Sequence, residues 1–421
     1  MPVRTVFALL HRWIGLGLAG FLLVVALTGS LLAFLPELDR WLTPELYPGP
    51  HGQNLGAAAL ARRAEALVPR GRAEIVFFED KFSTTGTARV VMGAAPGEPP
   101  LEFDSLFLDS VTGAELGRLH WGGLPHSVGQ VMPFIYDLHM NLASGHYGGR
   151  ALGVVALFWT FDCFVAAWLT LPAAGRRPAP GFLARWAPAW RIKWRAAPFR
   201  IAFDLHRAGG LWLWGMLIVF AWSAVFFNFV EVYAPVTKLL ADFDDSAWST
   251  AHSSTETDGR KQLDWEDAQV IAERLMAEEA DRLGFAIERP ISLSIDAAGG
   301  EWEYCVHSSL DVGDKLGSTI LRFNAYDGSL RSLRLPTGQR SGDTFTAWLV
   351  ALHTANIFGL PYKILVCALG LAIAILSGTG VYIWAKKRAA RRQSGRRESY
   401  ADRQLLDSAR AAARPGPVTQ K

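Results

Sequence analysis

Residues 10–34 read LHRWIGLGLAGFLLVVALTGSLLAF, a histidine and an arginine at the mouth of an uncharged apolar run. From position 14 to 34 the run reaches the roughly 20 residues that a helix needs to cross a bilayer. It is longer than the core of a signal peptide, and no small-x-small cleavage site follows in LLAFLPELDRW, so it is read as a retained anchor. Three more stretches have the same character, at 151–171, 211–229 and 364–384. A chain of 421 residues that is 50% hydrophobic and only 19% charged fits a membrane protein better than one soluble domain.

Basic residues orient the spans. Between the second and third, positions 173–205 hold Arg176, Arg177, Arg185, Arg191, Lys193, Arg195 and Arg200 against one acid, Asp204, and KKRAARRQSGRR follows the fourth. The long segments have the opposite balance, 8 basic against 12 acidic side chains over 36–130 and 11 against 20 over 232–345. Lys and Arg near span ends mark the cytoplasmic side, so both termini and the middle loop are assigned there and the long segments outside. The net charge of +3 gives no reason to invoke nucleic acid. The expected division is a helix region at 1–35, an outer module at 36–130, a second helix region at 131–172 and a basic loop at 173–205. A third helix region at 206–231, an outer module at 232–345, a fourth helix region at 346–385 and a basic tail at 386–421 complete it.

The chain reads as two similar halves, each a span, a long outer segment and a span. LHRAGGLWLWG at 205–215 answers LHRWIGLGLAG at 10–20, and LHTANIFG at 352–359 answers LHMNLASG at 138–145. Two spans return the chain to its starting side, which makes the halves parallel repeats. In the outer segments, LGAAALARRAEAL and DWEDAQVIAERLMAEEADRLG have helical spacing, the second with Asp264 as N-cap and Gly284 as its end. Short strand-like runs follow each helix, AEIVFF, TARVVM and LEFDSLFLD in one, ISLSID, EWEYCVHS and STILRFN in the other, with tight turns at Gly113 and Gly328. This helix-then-meander pattern resembles the PepSY module. AHSSTETDGRKQ, at 251–262, is polar and reads as loop.

Each span is preceded by Leu-His. His11 and His206 lead the spans entering from the cytoplasm, and His139 and His353 those entering from outside. Four helices with four leading histidines, two per face, are the ligand supply for two b-type hemes, each held by a pair of imidazoles across a four-helix bundle. A paired-imidazole iron has no open position, which suits electron transfer. Gly15, Gly17 and Gly20, answered in part by Gly210 and Gly215, leave space beyond the inner histidines for a flat macrocycle or a close helix. A span of about 20 residues rises about 30 Å, a distance that two such cofactors divide into hops. His146, seven positions after His139, is an alternative or additional outer ligand, although its counterpart in the repeat is Leu360. The bland alternative is that each histidine only anchors or caps a helix at the interface.

Arg12, Arg207, Arg150 and Lys363 lie near these histidines in sequence and are candidates either for pairing with heme propionates or for snorkelling flank charges. Asp162, in FWTFDCFVAAW, puts a carboxylate near mid-span, which is costly unless it faces the bundle. His120 and His126 are outside, where they are either solvated or in contact with a substrate, and His51, His252 and His307 have no evident partner. The cysteines Cys163, Cys305 and Cys367 make neither a disulfide framework nor a CxxC or CxxCH motif, which argues against thiolate-bound metal and covalent heme. The GxGxxG formed by Gly15, Gly17 and Gly20 lies inside the first apolar span and not between a strand and a helix, so it is no dinucleotide fingerprint, and an electron donor separate from this chain is required, a quinol or a cytoplasmic reductase.

LHRWIGLGLAGFLLVVALTGSLLAF, FDLHRAGGLWLWG and ALHTANIFGLPYKILVCALGLAIAILSGTGVYIWAKKR together resemble the PepSY-associated transmembrane family of bacterial inner-membrane proteins, over nearly the whole chain to about residue 390. The resemblance implies an iron-regulated protein of siderophore utilisation, in some members a heme-bearing reductase that frees iron from a ferri-siderophore or other Fe(III) chelate in the periplasm. One departure from the family pattern is AWSAVFFNF at the end of the third span, where a Thr-Gly pair is usual; it bears on helix packing there. The competing expectations are a non-enzymatic PepSY membrane protein that binds peptides or regulates a protease and, from the repeat alone, a transporter.

Overall fold

A computed structural model describes residues 3–49, 52–78, 86–172, 181–245, 261–296 and 300–412, the side chains of 395–412 excepted. His51, Arg176, Arg177, His252 and most of AHSSTETDGRKQ lie outside the described residues. The helices are α1 (Val3–Leu32), α2 (Leu35–Leu42), α3 (Ala57–Leu67), α4 (Val131–Asn141), α5 (Gly145–Thr170) and α6 (Phe182–Trp186). They continue with α7 (Pro198–Asn228), α8 (Val230–Leu240), α9 (Trp265–Leu283), α10 (Ser341–His353) and α11 (Gly359–Ala412). Four of them are long and apolar enough to cross a membrane, namely α1, α5, α7 and the Gly359–Ser394 part of α11. With these spans the chain is a membrane protein.

Four boundaries differ from the sequence reading. The third span starts at Pro198, within the segment read as loop, because proline lacks only an N–H that the first turn leaves unbonded anyway. The fourth continues as helix to Ala412, since the tail is rich in Ala and Arg and holds no proline before Pro415. The regions ahead of the second and fourth spans are broken: α4 ends at Leu142 and Ala143 (φ 57° and 49°) before Gly145 (φ 56°), and α10 is followed by Ala355, Phe358 and Gly359 (φ 53°, 59° and 59°). Left-handed residues end a helix. His139 and His353 therefore belong to short helices of their own, not to the spans they precede.

The chain divides into two compact units. One takes Met1–Leu23, Phe161–Trp214 and Ala372–Lys421, the other Val24–Thr160 and Gly215–Leu371. Each long helix contributes a segment to each unit.

All the described strands belong to the second unit: β1 (Gly71–Phe77), β2 (Thr87–Ala94), β3 (Ser105–Asp109), β4 (Glu115–Leu119), β5 (Ile287–Asp296), β6 (Glu301–Ser308), β7 (Thr319–Asn324) and β8 (Leu330–Arg334). Each outer segment supplies a helix and an antiparallel meander, as its pattern of apolar runs predicts. The two meanders are not separate sheets. β1 pairs antiparallel with β5, Ile75 opposite Ser294 and Phe77 opposite Ser292, giving one sheet in the order β4-β3-β2-β1-β5-β6-β7-β8. Apart, each meander would expose the unbonded N–H and C=O groups of its first strand; joined, they satisfy each other. α3 and α9 share a single apolar core with this sheet, built around Leu60, Met276, Trp302 and Phe323. α9 starts where the Asp264 carboxylate accepts from the Asp267 N–H and stops at Gly284 (φ 75°), and Gly113 and Gly328 turn with φ 68° and 70°.

Candidate functional site

In the first unit, His11 of α1 and His206 of α7 face each other with ring centres 5.9 Å apart. The His11 Nδ1 lies 3.0 Å from both oxygens of Asp162 on α5, whose side chain is only 11% exposed. The mid-span acid thus has a partner, and the partner is a candidate ligand. The His206 Nδ1 donates to the Leu376 carbonyl on α11 at 3.0 Å, with the Thr379 hydroxyl at 3.3 Å. Gly380 admits that ring: a Cβ there would stand 3.1 Å from His206 Cε1.

The second unit repeats the theme with different residues. His139 of α4 and His353 of α10 have ring centres 6.2 Å apart. The His139 Nδ1 is 3.0 Å from the Thr28 hydroxyl on α1, and a Cβ at Gly29 would lie 3.0 Å from His139 Cε1. The His353 Nδ1 meets the Ser223 hydroxyl on α7, and the His353 ring makes T-shaped contacts with Phe220 and Phe227, ring centres 5.2 and 5.3 Å away. Ser223 occupies the stretch where the Thr-Gly pair is missing, and it supplies the hydroxyl that Thr28 supplies elsewhere.

These partners decide the tautomers. The Asp162 carboxylate and the Leu376 carbonyl only accept hydrogen bonds. Thr28 and Ser223 give their hydroxyl protons to Val24 O and Val219 O of their own helices, at 2.8 and 2.6 Å, and so accept as well. Each histidine is therefore an Nδ1–H donor whose Nε2 carries a lone pair, the arrangement by which a hydrogen bond fixes a ligating imidazole. For His11, His206 and His353, no hydrogen bond engages Nε2 among the described residues.

Ring spacing tests whether a heme fits. Two metal–nitrogen bonds of about 2 Å on opposite sides of one iron, each continued by about 1 Å to a ring centre, add to about 6 Å. Both pairs match. Among the described residues no group of three or more His, Cys, Asp or Glu side chains could hold a bare metal ion. Donors in twos suit an iron whose remaining ligands come with a macrocycle. Near the first pair, a Cβ on Gly15 or Gly210, each four positions after a histidine and on its face, would meet nothing within 4 Å, so both glycines border open space.

Of the candidate cations, Arg207 is bonded to Asp204 and to Pro188 O, both at 2.8 Å, Arg150 to Glu231 at 2.6 Å and Lys363 to Glu37 at 2.6 Å. Arg12 stacks on Trp13 at 5.1 Å and has no ion pair among the described residues, so it alone of the four brings an uncommitted charge. His146 is exposed, with its ring against Tyr147 at 5.9 Å, and the His139–His353 pair forms without it. His120 lies 3.3 Å from Asp104, the His126 side chain is exposed, and buried His307 bonds Gly313 O at 2.9 Å in a structural role. Sequence reasoning missed the ring holders Thr28, Ser223 and Thr379 and the seats Gly29 and Gly380; the one hint was the Thr-Gly pair that occurs at both 28–29 and 379–380.

A family model described as the PepSY-associated TM region matches residues 8–387. A search of curated proteins finds no match.

Proposed function

The chain belongs to the PepSY-associated transmembrane family, and from that membership and its two histidine pairs we propose that it is a di-heme electron-transfer protein of the bacterial inner membrane. Its substrate is a periplasmic Fe(III) chelate of the siderophore type. A heme held by two imidazoles supplies one-electron transfer without an open coordination position. His11 and His206 would hold one group and His139 and His353 the other. Asp162, Leu376, Thr28 and Ser223 keep the four rings in the ligating tautomer, and Arg12 is available to a propionate. The two halves of the chain, each with one LHR and one LHx histidine, read as parallel repeats, with both termini in the cytoplasm and the sheet in the periplasm.

Each Fe(III) chelate takes one electron and becomes an Fe(II) chelate, which hard oxygen donors bind less tightly. A quinol donor gives up two electrons and two protons, so one quinol serves two chelates. The observation that carries the proposal is that both pairs show the ring spacing of a shared iron while every Nδ1 lies within hydrogen-bond reach of an oxygen on a neighbouring helix. Purified protein from heme-replete cells is expected to show a Soret band that shifts on dithionite addition, and about two hemes per chain by pyridine hemochrome. Colourless protein overturns the proposal. It would favour a second reading, a non-enzymatic peptide-binding or protease-regulating membrane protein. That reading has its own support in a cleft of about 450 Å³ lined by Asn54, Gln269, Glu273, Arg289 and Tyr304 among others, within the size range of ligand pockets.

A further inference from the structure

Resting on the di-heme reading, we infer that Asp162 is a positioning residue that sets the His11–His206 site at a lower reduction potential than the His139–His353 site, so that electrons run downhill from the first to the second. The ground is an asymmetry among the four ring holders. Three are neutral: the Leu376 carbonyl and the hydroxyls of Thr28 and Ser223. The fourth is a carboxylate, with both oxygens 3.0 Å from the His11 Nδ1. A hydrogen bond to a carboxylate is roughly twice as strong as one between neutral groups. It draws the Nδ1 proton away from the ring, leaves more negative charge on the imidazole and makes it a more basic ligand. Such a ligand stabilises Fe(III) over Fe(II), which lowers the potential.

Most charged side chains nearest the histidines in sequence are paired among themselves, and Asp137, two positions before His139, is bonded by the Asn141 amide at 2.6 Å. Buried Asp204 is clamped by Arg200 at 3.0 Å and Arg207 at 2.8 Å. In the other unit Arg150 is matched by Glu231 and Lys363 by Glu37. Arg12 opposes Asp162 in sign, but its guanidinium is stacked on Trp13, whereas the Asp162 carboxylate touches the ligand ring itself.

The test is a spectroelectrochemical titration of the full chain in detergent. Two separated midpoints are expected in the unaltered protein, and coincident midpoints overturn the inference. His206→Ala should abolish the lower wave; loss of the upper one instead also overturns it. Asp162→Asn keeps an oxygen that can accept from Nδ1 and removes only the charge. It should retain both hemes in a low-spin state and shift the lower midpoint upward, toward the other. Thr28→Ala should leave that wave in place. Should the Asn variant lose a heme, Ser223→Asp provides the converse, a carboxylate beside His353 that lowers the upper midpoint. Variants that hold both hemes with unmoved midpoints sink the role assigned to Asp162 while leaving the di-heme function standing. Protein that binds no heme at all overturns the function and this inference together.

Discussion

The two histidine pairs reach the same ring spacing by different local routes. His11 and His206 sit inside long uninterrupted helices, α1 and α7, whereas His139 and His353 sit at the ends of the short helices α4 and α10. Every non-glycine residue with positive φ among the described residues, namely Leu142, Ala143, Ala355 and Phe358, lies in the two breaks after that second pair. Each such residue costs roughly 1–2 kcal/mol relative to the right-handed form. Tertiary contacts hold the second break against this preference: the Asp314 N–H bonds Asn356 O at 2.8 Å, and the Gly359 N–H bonds the Asp314 carboxylate at 2.9 Å. In a continuous helix the backbone direction places the ring and only the opposite helix need accommodate it. At a broken end, strain has to be held as well.

Removing a ring should separate the pairs most sharply. His206→Ala and His353→Ala are each expected to halve the heme content, with loss of a different redox wave, read by pyridine hemochrome and titration. If either substitution removes both hemes or neither, the pairs are not independent sites.

Crowding a ring is the next largest perturbation. In Gly380→Val the new Cβ would lie near 3.1 Å from His206 Cε1, and in Gly29→Val near 3.0 Å from His139 Cε1. Both rings are pinned through Nδ1 and cannot swing aside, so overpacking of about 1–3 kcal/mol should weaken heme retention roughly tenfold or more at one site each. Heme transfer to apomyoglobin measures the loss. Equal loss from both sites in either variant would remove the distinction between the seats.

The strain itself gives a smaller effect that differs in sign between the regions. Leu142→Gly or Ala355→Gly is expected to stabilise the protein by about 1 kcal/mol, since glycine adopts positive φ without penalty. Ala19→Gly in the continuous helix α1 should cost about 1 kcal/mol. Thermal unfolding followed by circular dichroism distinguishes them; a loss at all three positions means the breaks are not strained.

The same contrast explains what the sequence shows and what it hides. Spans, the Asp264 cap and the Gly284 stop are local signals written in runs of a few residues, and the structure has them in place. Four histidines next to four spans were visible for the same reason. The pairing of β1 with β5 was not, because the partners are more than two hundred positions apart and a strand edge carries no mark of what will cover it. Thr28 and Ser223 look like ordinary polar residues inside spans, since a hydroxyl bonded to its own helix is unremarkable until an imidazole arrives from another helix. Asp162 stood out by its cost, yet only the fold shows that His11 meets it.

The smallest expected effect concerns one ion pair in the second unit. Glu37 of α2 accepts a hydrogen bond from Lys363 near the start of α11, just after the left-handed break. Burial alone would raise the pKa of this carboxyl, but the bond to Lys363, a backbone hydrogen bond and the charges of Lys363 and Lys315 together outweigh it, and the net shift is downward. A lowered folded pKa means that the unfolded chain takes up the proton first as the solution is acidified. The contribution is therefore complete above the ordinary carboxylate range and fades as pH falls through the folded value. The Glu37 side chain is half exposed, at 51%, so solvent screening limits the effect to less than about 1 kcal/mol. Glu37→Gln is expected to lower the melting temperature slightly at neutral pH and to match the unaltered protein once the medium is acidic enough to protonate Glu37. Two melting curves that stay parallel across that range would mean that Lys363 does not help to hold the break beside His353.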